Sequence, residues 1–275
     1  MKQDHYDLHC HSHYSDGTDS IQEIIQKAEA YHLAGVALTD HDTLDGVDEL
    51  SQMHPKFSVI KGIELSTYYR EYPVHLLGYF YENDARAKTL REYTEESKQL
   101  RIDRSKEILR LLKTECNILL SYQELQVKAK NIITRPHIAN CIAAKYNIPF
   151  QDCFDRFLGN DRPAYVPIDR LSTQDGLKLL KENNAFVSVA HPKFYDEVID
   201  EIIYLGVDGI EVNHPSQGKM QRGKYRHMAK YYNLQLTGGS DYHGHSSPHD
   251  LGSSNIQGTD AKRFLKKVRL TNHSK

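Results

Sequence analysis

The sequence predicts an α/β fold built around a parallel sheet, with a helical insertion between its two halves. Short buried-strand patterns alternate with amphipathic helices over the first 80 residues, and the same alternation returns after residue 173. The stretch between them is charged, helix-forming and poor in strand signals. Helices that join successive strands imply crossover connections, which make those strands parallel.

Seven segments have the composition of short strands: residues 6–9, 35–39, 57–65, 74–80, 185–190, 209–212 and 234–237. Predicted helices follow most of them, at residues 21–28, 44–53, 173–183, 196–205, 217–231 and 260–268. The first helix has a candidate N-cap, Ser20, and an apolar face made of Ile21, Ile24, Ile25 and Ala28. These segments account for the alternation on which the fold class rests.

The insertion begins after Tyr81, where the composition changes. One long helical stripe contains Ile102, Ile108, Leu109, Leu111 and Leu112. Shorter helices are predicted at residues 122–130, 136–146 and 150–158. We therefore expect one domain formed by residues 1–81 and 166–275, and a second, helical domain at residues 82–165 that caps the barrel or sheet.

Bulk composition excludes several classes of protein. A length of 275 residues suits one large α/β domain or one domain with an insertion. A net charge of −2 argues against nucleic-acid binding over the whole surface. The chain has no apolar run of membrane length and no apolar signal-peptide core at its N-terminus, so we expect a cytoplasmic protein without membrane contact. Its four cysteines form no CxxC pair, so we expect reduced thiols and no disulfide-linked partner.

The 16 histidines are informative because many of them follow predicted strands, together with carboxylates. His9 and His11 are two residues apart, so on a strand they share a face, while Cys10 points into the core. His75 lies within the fourth predicted strand, and the other polar residues at strand ends or in the loops after them are Asp16, His41, Glu64, His191, Glu211, His214, Asp241 and His243. In parallel α/β folds this edge of the sheet is where functional sites are built.

A single histidine beside a strand is more often a hydrogen-bonded structural residue than a ligand. Six strand ends that each supply a histidine or a carboxylate are harder to explain without metal, because unpaired imidazoles and carboxylates are costly to bury together. Bound divalent cations offset that cost. Nitrogen and oxygen donors without thiolates suit Mn²⁺, Zn²⁺, Fe²⁺ or a mixture of these ions.

Five ordered motifs resemble those of the polymerase and histidinol phosphatase (PHP) superfamily. They are His9-Cys10-His11, Thr39-Asp40-His41-Asp42, Gly62-Ile63-Glu64, Ala190-His191-Pro192 and Ser240-Asp241-Tyr242-His243. The resemblance covers about residues 5–80 and 185–250. It implies a distorted (β/α)7 barrel with a helical insertion, and a centre of three divalent metal ions.

The resemblance also implies which residues bind each ion. The first ion would be bound by His9, His11, Glu64 and Asp241. Glu64 would bridge to a second ion, held also by His75 and His191. The third would be bound by Asp16, His41 and His243. Polymerase-associated members often lack several ligands, whereas all nine positions carry a competent ligand here, which favours catalysis over a purely structural role.

The insertion resembles that of stand-alone bacterial phosphoesterases, a subgroup that includes nucleoside 3′,5′-bisphosphate phosphatases and exonucleases acting on short RNA. The segments concerned are residues 134–139 and 159–167. Arg135 is a candidate phosphate clamp, since guanidinium binds phosphate oxygens in a bidentate way. His137 and Arg162 are candidate helpers, and a surface ion pair is an equally good explanation of Arg162. We therefore expect a small phosphorylated substrate, a nucleotide or a short RNA.

The predicted reaction is hydrolysis of a phosphomonoester by metal-activated water. Glu64 and Asp241 are catalytic candidates because they are shared ligands. His214 is a candidate for protonating the leaving group or contacting phosphate, and a structural role explains it equally well. Asp40 and Asp42 could orient ligand imidazoles. The alternatives are a 5′-3′ exonuclease on short RNA, a histidinol-phosphate phosphatase, a metal-dependent hydrolase of C–N or C–O bonds, and a metal-stabilised binding module without turnover.

Overall fold

The chain forms one seven-stranded sheet in which the strands are ordered as they occur in the sequence. A computed structural model describes residues 4–80, 88–129, 133–167 and 171–273. The strands are β1 (Tyr6–Cys10), β2 (Gly35–Leu38), β3 (Ser58–Tyr69), β4 (Tyr72–Phe80), β5 (Phe186–Val189), β6 (Gly209–Asn213) and β7 (Gln235–Gly238). All seven coincide with predicted strands.

One strand runs against the others. β1, β2 and β3 pair in parallel, as do β5, β6 and β7, but β4 is antiparallel to both β3 and β5. The prediction of a parallel sheet was wrong here because no helix separates β3 from β4. β3 continues past its predicted end at residue 65, and a tight turn at Arg70, with a φ of 54°, joins the two strands as a hairpin.

The sheet curls so that β1 meets the segment that follows β7. The backbone amide of Asp241 donates to the carbonyl of His9 at 2.9 Å, and that of His11 donates to the carbonyl of Tyr242 at 2.8 Å. These bonds close one end of the sheet into a distorted seven-stranded barrel. The predicted fold class is confirmed.

Ten α-helices lie within the described residues: α1 (Ile21–Ala30), α2 (Asp45–Gln52), α3 (Lys88–Cys116), α4 (Tyr122–Ala129), α5 (Arg135–Tyr146), α6 (Phe150–Cys153), α7 (Thr173–Glu182), α8 (Ile199–Tyr204), α9 (Lys219–Tyr231) and α10 (Gly258–His273). Ser20 caps α1 as predicted, since its hydroxyl accepts from Glu23 N and the Glu23 carboxylate accepts from Ser20 N. The four predicted apolar residues of α1 are all buried. No described helix has the length and apolarity needed to cross a membrane.

Two compact units make up the chain. The first consists of Met1–Thr94 with Arg170–Lys275, and the second of Glu95–Asp169. The first unit holds the sheet, with large buried side chains on both its faces. The second is helical and has its own core, which includes Ile108, Leu112, Ile138 and Ile142. α3 begins in the first unit and continues into the second as one 29-residue helix. All four cysteines are free thiols.

Candidate metal centre

The polar residues of the site are brought together at the carboxyl edge of the parallel strands. His9 lies in β1, and His11 directly follows it. Glu64 was expected at the end of β3, but it lies in the middle of that strand because β3 extends into the hairpin. β2 is shorter, and beyond its end the backbone of His41 bridges to Glu64. Glu64 therefore lies at the same height along the sheet as the carboxyl end of β2.

His75 reaches the same edge because β4 is antiparallel. It lies near the beginning of β4 and pairs with Ser66 of β3, two residues beyond Glu64. Its Nδ1 is 3.0 Å from Glu64 Oε1. A parallel strand would have carried a residue at this position towards the opposite edge of the sheet. The hairpin is thus a structural requirement for placing His75 beside Glu64.

Glu64 is the centre of the cluster. Its carboxylate is fully buried, and Oε1 lies 2.9 Å from His191 Nε2 as well as beside His75. Its other oxygen, Oε2, lies 3.1 Å from His9 Nε2, 3.2 Å from His11 Nε2 and 3.3 Å from His41 Nδ1. Five imidazoles therefore surround one carboxylate, as expected of a residue that bridges two cations.

Two aspartates complete the cluster on its outer side. Asp241 Oδ1 lies 3.3 Å from His9 Nε2 and 3.2 Å from His11 Nε2. Asp16 is the most exposed member, and its carboxylate lies 3.3 Å from His243 Nε2 and 3.7 Å from His11 Nδ1. All nine residues named as metal ligands from the sequence therefore meet in one place. Their assignment to particular ions stays a prediction.

Several groups of these residues could each hold a cation, because their ligand atoms lie within 4.8 Å of one another. One group is His9, His11, Glu64 and Asp241, and another is His11, Asp16, His41 and His243. A third group combines Glu64 and His75 with His41. The first group equals the set that the family resemblance implies, and the second contains the third implied set.

Unsatisfied imidazole nitrogens show that the site fits metal ions. Both ring nitrogens of His11, Nδ1 of His41 and Nδ1 of His191 are buried and make no well-aligned hydrogen bond. Leaving such polar atoms unpaired is costly unless something else binds their lone pairs. The donor set contains nitrogen and oxygen atoms and no sulfur, which suits divalent transition-metal ions.

The electrostatics of the cluster also favour cations. Burial acts to raise the pKa of Glu64, but His41, His9 and His75 outweigh it and hold that pKa well below its usual range. Burial acts to lower the pKa of His11, but the carboxylates of Asp241 and Glu64, each 3.2 Å from its Nε2, raise that pKa to about 10. His41 and His191 are exceptions, because burial lowers the pKa of His41 to about 4 and also lowers the pKa of His191. In the absence of metal, protons on the histidines provide the positive charge that the carboxylates require.

Comparison with known proteins agrees with this geometry. The PHP domain family matches residues 7–147, slightly more than half of the chain. The chain belongs to the PHP family. A solved structure from Bifidobacterium adolescentis, described as a metal-dependent phosphoesterase, has a TM-score of 0.77 and 27% identity and covers 96% of each chain.

Three curated PHP-like relatives are similar over most of their lengths. The Haemophilus influenzae 5′-3′ exoribonuclease is 29% identical, covering 86% of this chain and 89% of the relative. The Eggerthella lenta phosphoribosyl 1,2-cyclic phosphate 1,2-diphosphodiesterase is 27% identical, covering 86% and 94%. The Chromobacterium violaceum 3′,5′-nucleoside bisphosphate phosphatase is 26% identical, covering 86% of each. This PHP protein is therefore a metal-dependent phosphoesterase, and the enzyme class predicted from the sequence is confirmed.

Two buried carboxylates of the PHP site were not assigned a role from the sequence. Glu211 contacts His9 Nδ1 at 3.0 Å and the backbone amide of His191 at 2.7 Å. Asp7 accepts hydrogen bonds from the backbone and hydroxyl of Ser240 and from the backbone of Gly252. Asp7 is two residues before His9, so the period of a strand could have placed it on the same face. Glu211 was recognised only as a strand-end residue, since nothing local shows its partners.

Asp40 and Asp42 were expected to orient ligand imidazoles. Asp40 instead accepts hydrogen bonds from Ser12 N at 2.7 Å and from the Ser15 hydroxyl at 2.6 Å. It therefore holds the loop that leads to Asp16. Asp42 accepts from the backbone of Ser66 at 2.7 Å, and its charge acts to raise the pKa of His75.

The candidate substrate residues lie in the two units. His214, in the first unit, is almost fully buried, and its Nε2 is 3.3 Å from Asp241 Oδ2. In the second unit Arg135 donates to the carbonyl of Leu158 at 3.1 Å, and its guanidinium lies 5.6 Å from the Tyr165 ring centre. The His137 ring accepts from Thr134 N at the start of α5, and Arg162 is exposed. Substrate contact by these residues stays a prediction.

Proposed function

We propose that this PHP protein hydrolyses a phosphomonoester of a nucleotide, such as a nucleoside 3′,5′-bisphosphate, at a centre of three divalent cations. The observation that carries this proposal is the single buried carboxylate of Glu64 surrounded by five imidazoles. The Chromobacterium violaceum relative supports the nucleotide substrate by its name.

Nine residues of the chain would hold the cations. These are His9, His11, Asp16, His41, Glu64, His75, His191, Asp241 and His243. Bound Mn²⁺, Zn²⁺ or Fe²⁺ would offset the charge of the phosphoryl group and lower the pKa of an attacking water. Glu64 and Asp241 matter most, because each lies beside histidines that belong to more than one group of candidate ligands.

The contribution of His214 follows from its hydrogen bonds. Ser216 N donates to His214 Nδ1 at 3.1 Å, so the proton of the neutral ring is on Nε2. That Nε2–H faces Asp241 Oδ2. The ring can thus orient the carboxylate of Asp241 in the resting enzyme, or donate its proton to a phosphoryl or leaving-group oxygen. Arg135, with His137 and Arg162, is proposed to bind phosphate on the strength of the sequence pattern.

A second candidate is 5′-3′ exonuclease activity on short RNA, which the Haemophilus influenzae relative favours by its name. The chemistry of the two candidates is closely related. Removing the first nucleotide of an RNA from its 5′ end hydrolyses the ester between its O3′ and phosphorus, and removing a 3′-phosphate from a nucleoside bisphosphate hydrolyses the same bond. The two candidate substrates differ in the other substituent of that phosphate, which is the next nucleotide in RNA and is absent in the bisphosphate.

A side-by-side assay tests the proposal. Purified protein is incubated with adenosine 3′,5′-bisphosphate, a short 5′-phosphorylated RNA, histidinol phosphate and a panel of amides, and its metal content is measured. We expect phosphate release from the bisphosphate that disappears on chelation. Glu64→Gln should reduce the rate at least about a thousandfold, as for loss of a group that stabilises the transition state. Glu182→Gln, on the surface of α7, is the control.

Each outcome of that assay has a clear meaning. Nucleotide release from RNA without bisphosphate hydrolysis would support the second candidate. Hydrolysis of histidinol phosphate alone would exclude both nucleotide substrates. Full activity of Glu64→Gln, or of metal-free protein, would contradict the metal centre itself.

A further inference from the structure

A buried carboxylate outside the nine candidate ligands links two of them. Glu211 lies in β6 and is fully buried. Its Oε1 is 3.0 Å from His9 Nδ1, and its Oε2 is 2.7 Å from the backbone nitrogen of His191. One side chain therefore contacts a histidine of β1 and the residue that follows β5.

The two contacts determine which groups donate. The His191 backbone N–H can only donate, so Glu211 Oε2 accepts from it. The oxygens of an ionised carboxylate can only accept hydrogen bonds, and Glu211 Oε1 lies 3.0 Å from His9 Nδ1. Oε1 must therefore accept from His9, which requires a proton on His9 Nδ1.

A proton on Nδ1 has a direct consequence for the other ring nitrogen. His9 Nε2 lies 3.1 Å from Glu64 Oε2 and 3.3 Å from Asp241 Oδ1. When His9 is neutral and protonated at Nδ1, the lone pair of Nε2 is directed at the point where these carboxylates meet. That is the form of imidazole that binds a cation.

The contact with His191 holds an unusual backbone conformation. His191 has a φ of 25°, which L-residues with a side chain rarely adopt. It directs the ring of His191 so that Nε2 is 2.9 Å from Glu64 Oε1. The hydrogen bond from its backbone to Glu211 stabilises the chain at this point.

We propose that Glu211 is a positioning residue of the metal centre, which fixes His9 as its Nδ1–H tautomer and holds the backbone of His191. It thereby aligns histidines of two different ion sites through one carboxylate. This inference rests on the proposed metal centre. Glu211 is outside the nine residues that the family resemblance implies as ligands, and its two oxygens contact His9 and the backbone of His191.

The substitution Glu211→Gln tests this inference without changing the size of the side chain. An amide has one accepting oxygen and one donating nitrogen, so it can serve only one of the two donors. If the oxygen accepts from His191, the amide NH₂ faces His9 Nδ1 and favours the Nε2–H tautomer, which cannot bind a cation at Nε2. We expect the affinity for Zn²⁺ or Mn²⁺ to fall about 10- to 100-fold, measured by competition with a chromogenic chelator. Glu182→Gln, which removes a surface carboxylate, should bind like wild type.

A second measurement needs no substitution of Glu211. In ¹⁵N spectra of Zn²⁺-loaded wild-type protein, the His9 ring, assigned by comparison with His9→Asn, should carry its proton on Nδ1. A proton on Nε2 would overturn the inference even if Glu211→Gln failed to fold. Wild-type affinity in a folded Glu211→Gln protein would also overturn it while leaving the metal centre intact. A wild-type protein that binds no metal would overturn the metal centre and this inference together.

Discussion

At the scale of single residues, His11 shows how the site is prepared for cations. The ring is fully buried, and its Nε2 lies 3.2 Å from both Glu64 and Asp241. These carboxylates raise its pKa to about 10 against the opposing effect of burial. A protonated His11 thus stabilises the metal-free protein, and a cation would replace that proton.

The stability of metal-free protein should therefore fall as the pH rises. The folded pKa of His11 is about 10 and its unfolded value is 6.5, so its contribution is fully present below pH 6.5 and is lost as the pH rises towards 10. The raised pKa of His9 acts in the same direction. We expect the free energy of unfolding to decrease by about 2 kcal/mol between pH 6.5 and 8.5, measured by urea denaturation.

Two variants separate this effect from other titrations. His11→Gln should make the decrease smaller, whereas His249→Gln, at an exposed position, should leave it unchanged. A metal-free wild-type protein whose stability is constant over this pH range would show that His11 is not protonated in the fold.

Seven of the nine candidate ligands could be named from the sequence because they belong to five short motifs, and the family resemblance implied the other two, Asp16 and His75. His9 and His11 are two residues apart, in β1 and directly after it, and Asp241 and His243 repeat that spacing. The roles of Glu211 and Asp40 could not be predicted, because their partners are 202 and 28 residues away. Local patterns identify the residue types in a site, whereas hydrogen-bond partners depend on the tertiary fold.

At the scale of elements, the meeting of β7 with β1 closes the barrel and leaves no room for a side chain. A Cβ atom on Gly239 would lie 2.3 Å from both the nitrogen and the Cβ of His9. Backbone atoms of a strand cannot move aside as the end of a flexible side chain can. Glycine at residue 239 therefore permits the contact between the two ends of the sheet.

Gly239→Ala should destabilise the barrel by about 3 kcal/mol, at the upper end of the cost of overpacking, because the clash is with backbone. Gly223, in the middle of α9, is a matched control, since a Cβ there would meet nothing within 4 Å. Gly223→Ala should stabilise the protein by about 0.5–1 kcal/mol through helix propensity. Thermal unfolding of both variants measures the difference, and equal midpoints would contradict this view of the closure.

The elements were predictable because strands and helices have distinct apolar periods, but the direction of β4 was not. Strand patterns at residues 57–65 and 74–80 do not specify how two strands pair. The hairpin extension of β3 to Tyr69 decides the direction and brings His75 to the site. Periodicity thus predicts which segments are strands, while their connections set the direction in which each runs.

At the scale of the whole molecule, the change in composition after Tyr81 predicted that a helical segment interrupts the α/β pattern. The structure has two units, and each has its own buried apolar cluster. All nine candidate ligands belong to the unit that contains the sheet. The first boundary between the units, between Thr94 and Glu95, lies within the continuous helix α3, so no loop signal marks it in the sequence.

Separate cores predict separate responses to core substitutions. Ile142 is fully buried in the helical unit, and Ile202 is fully buried in the other. Replacing either with alanine should cost about 2–5 kcal/mol by leaving a cavity. Ile142→Ala should speed hydrogen exchange in α4 and α5 and leave β5, β6 and β7 protected, with the metal content unchanged. Ile202→Ala should show the reverse pattern of exchange. If Ile142→Ala increased hydrogen exchange in the strands as much as in α5, the two cores would unfold as one cooperative unit.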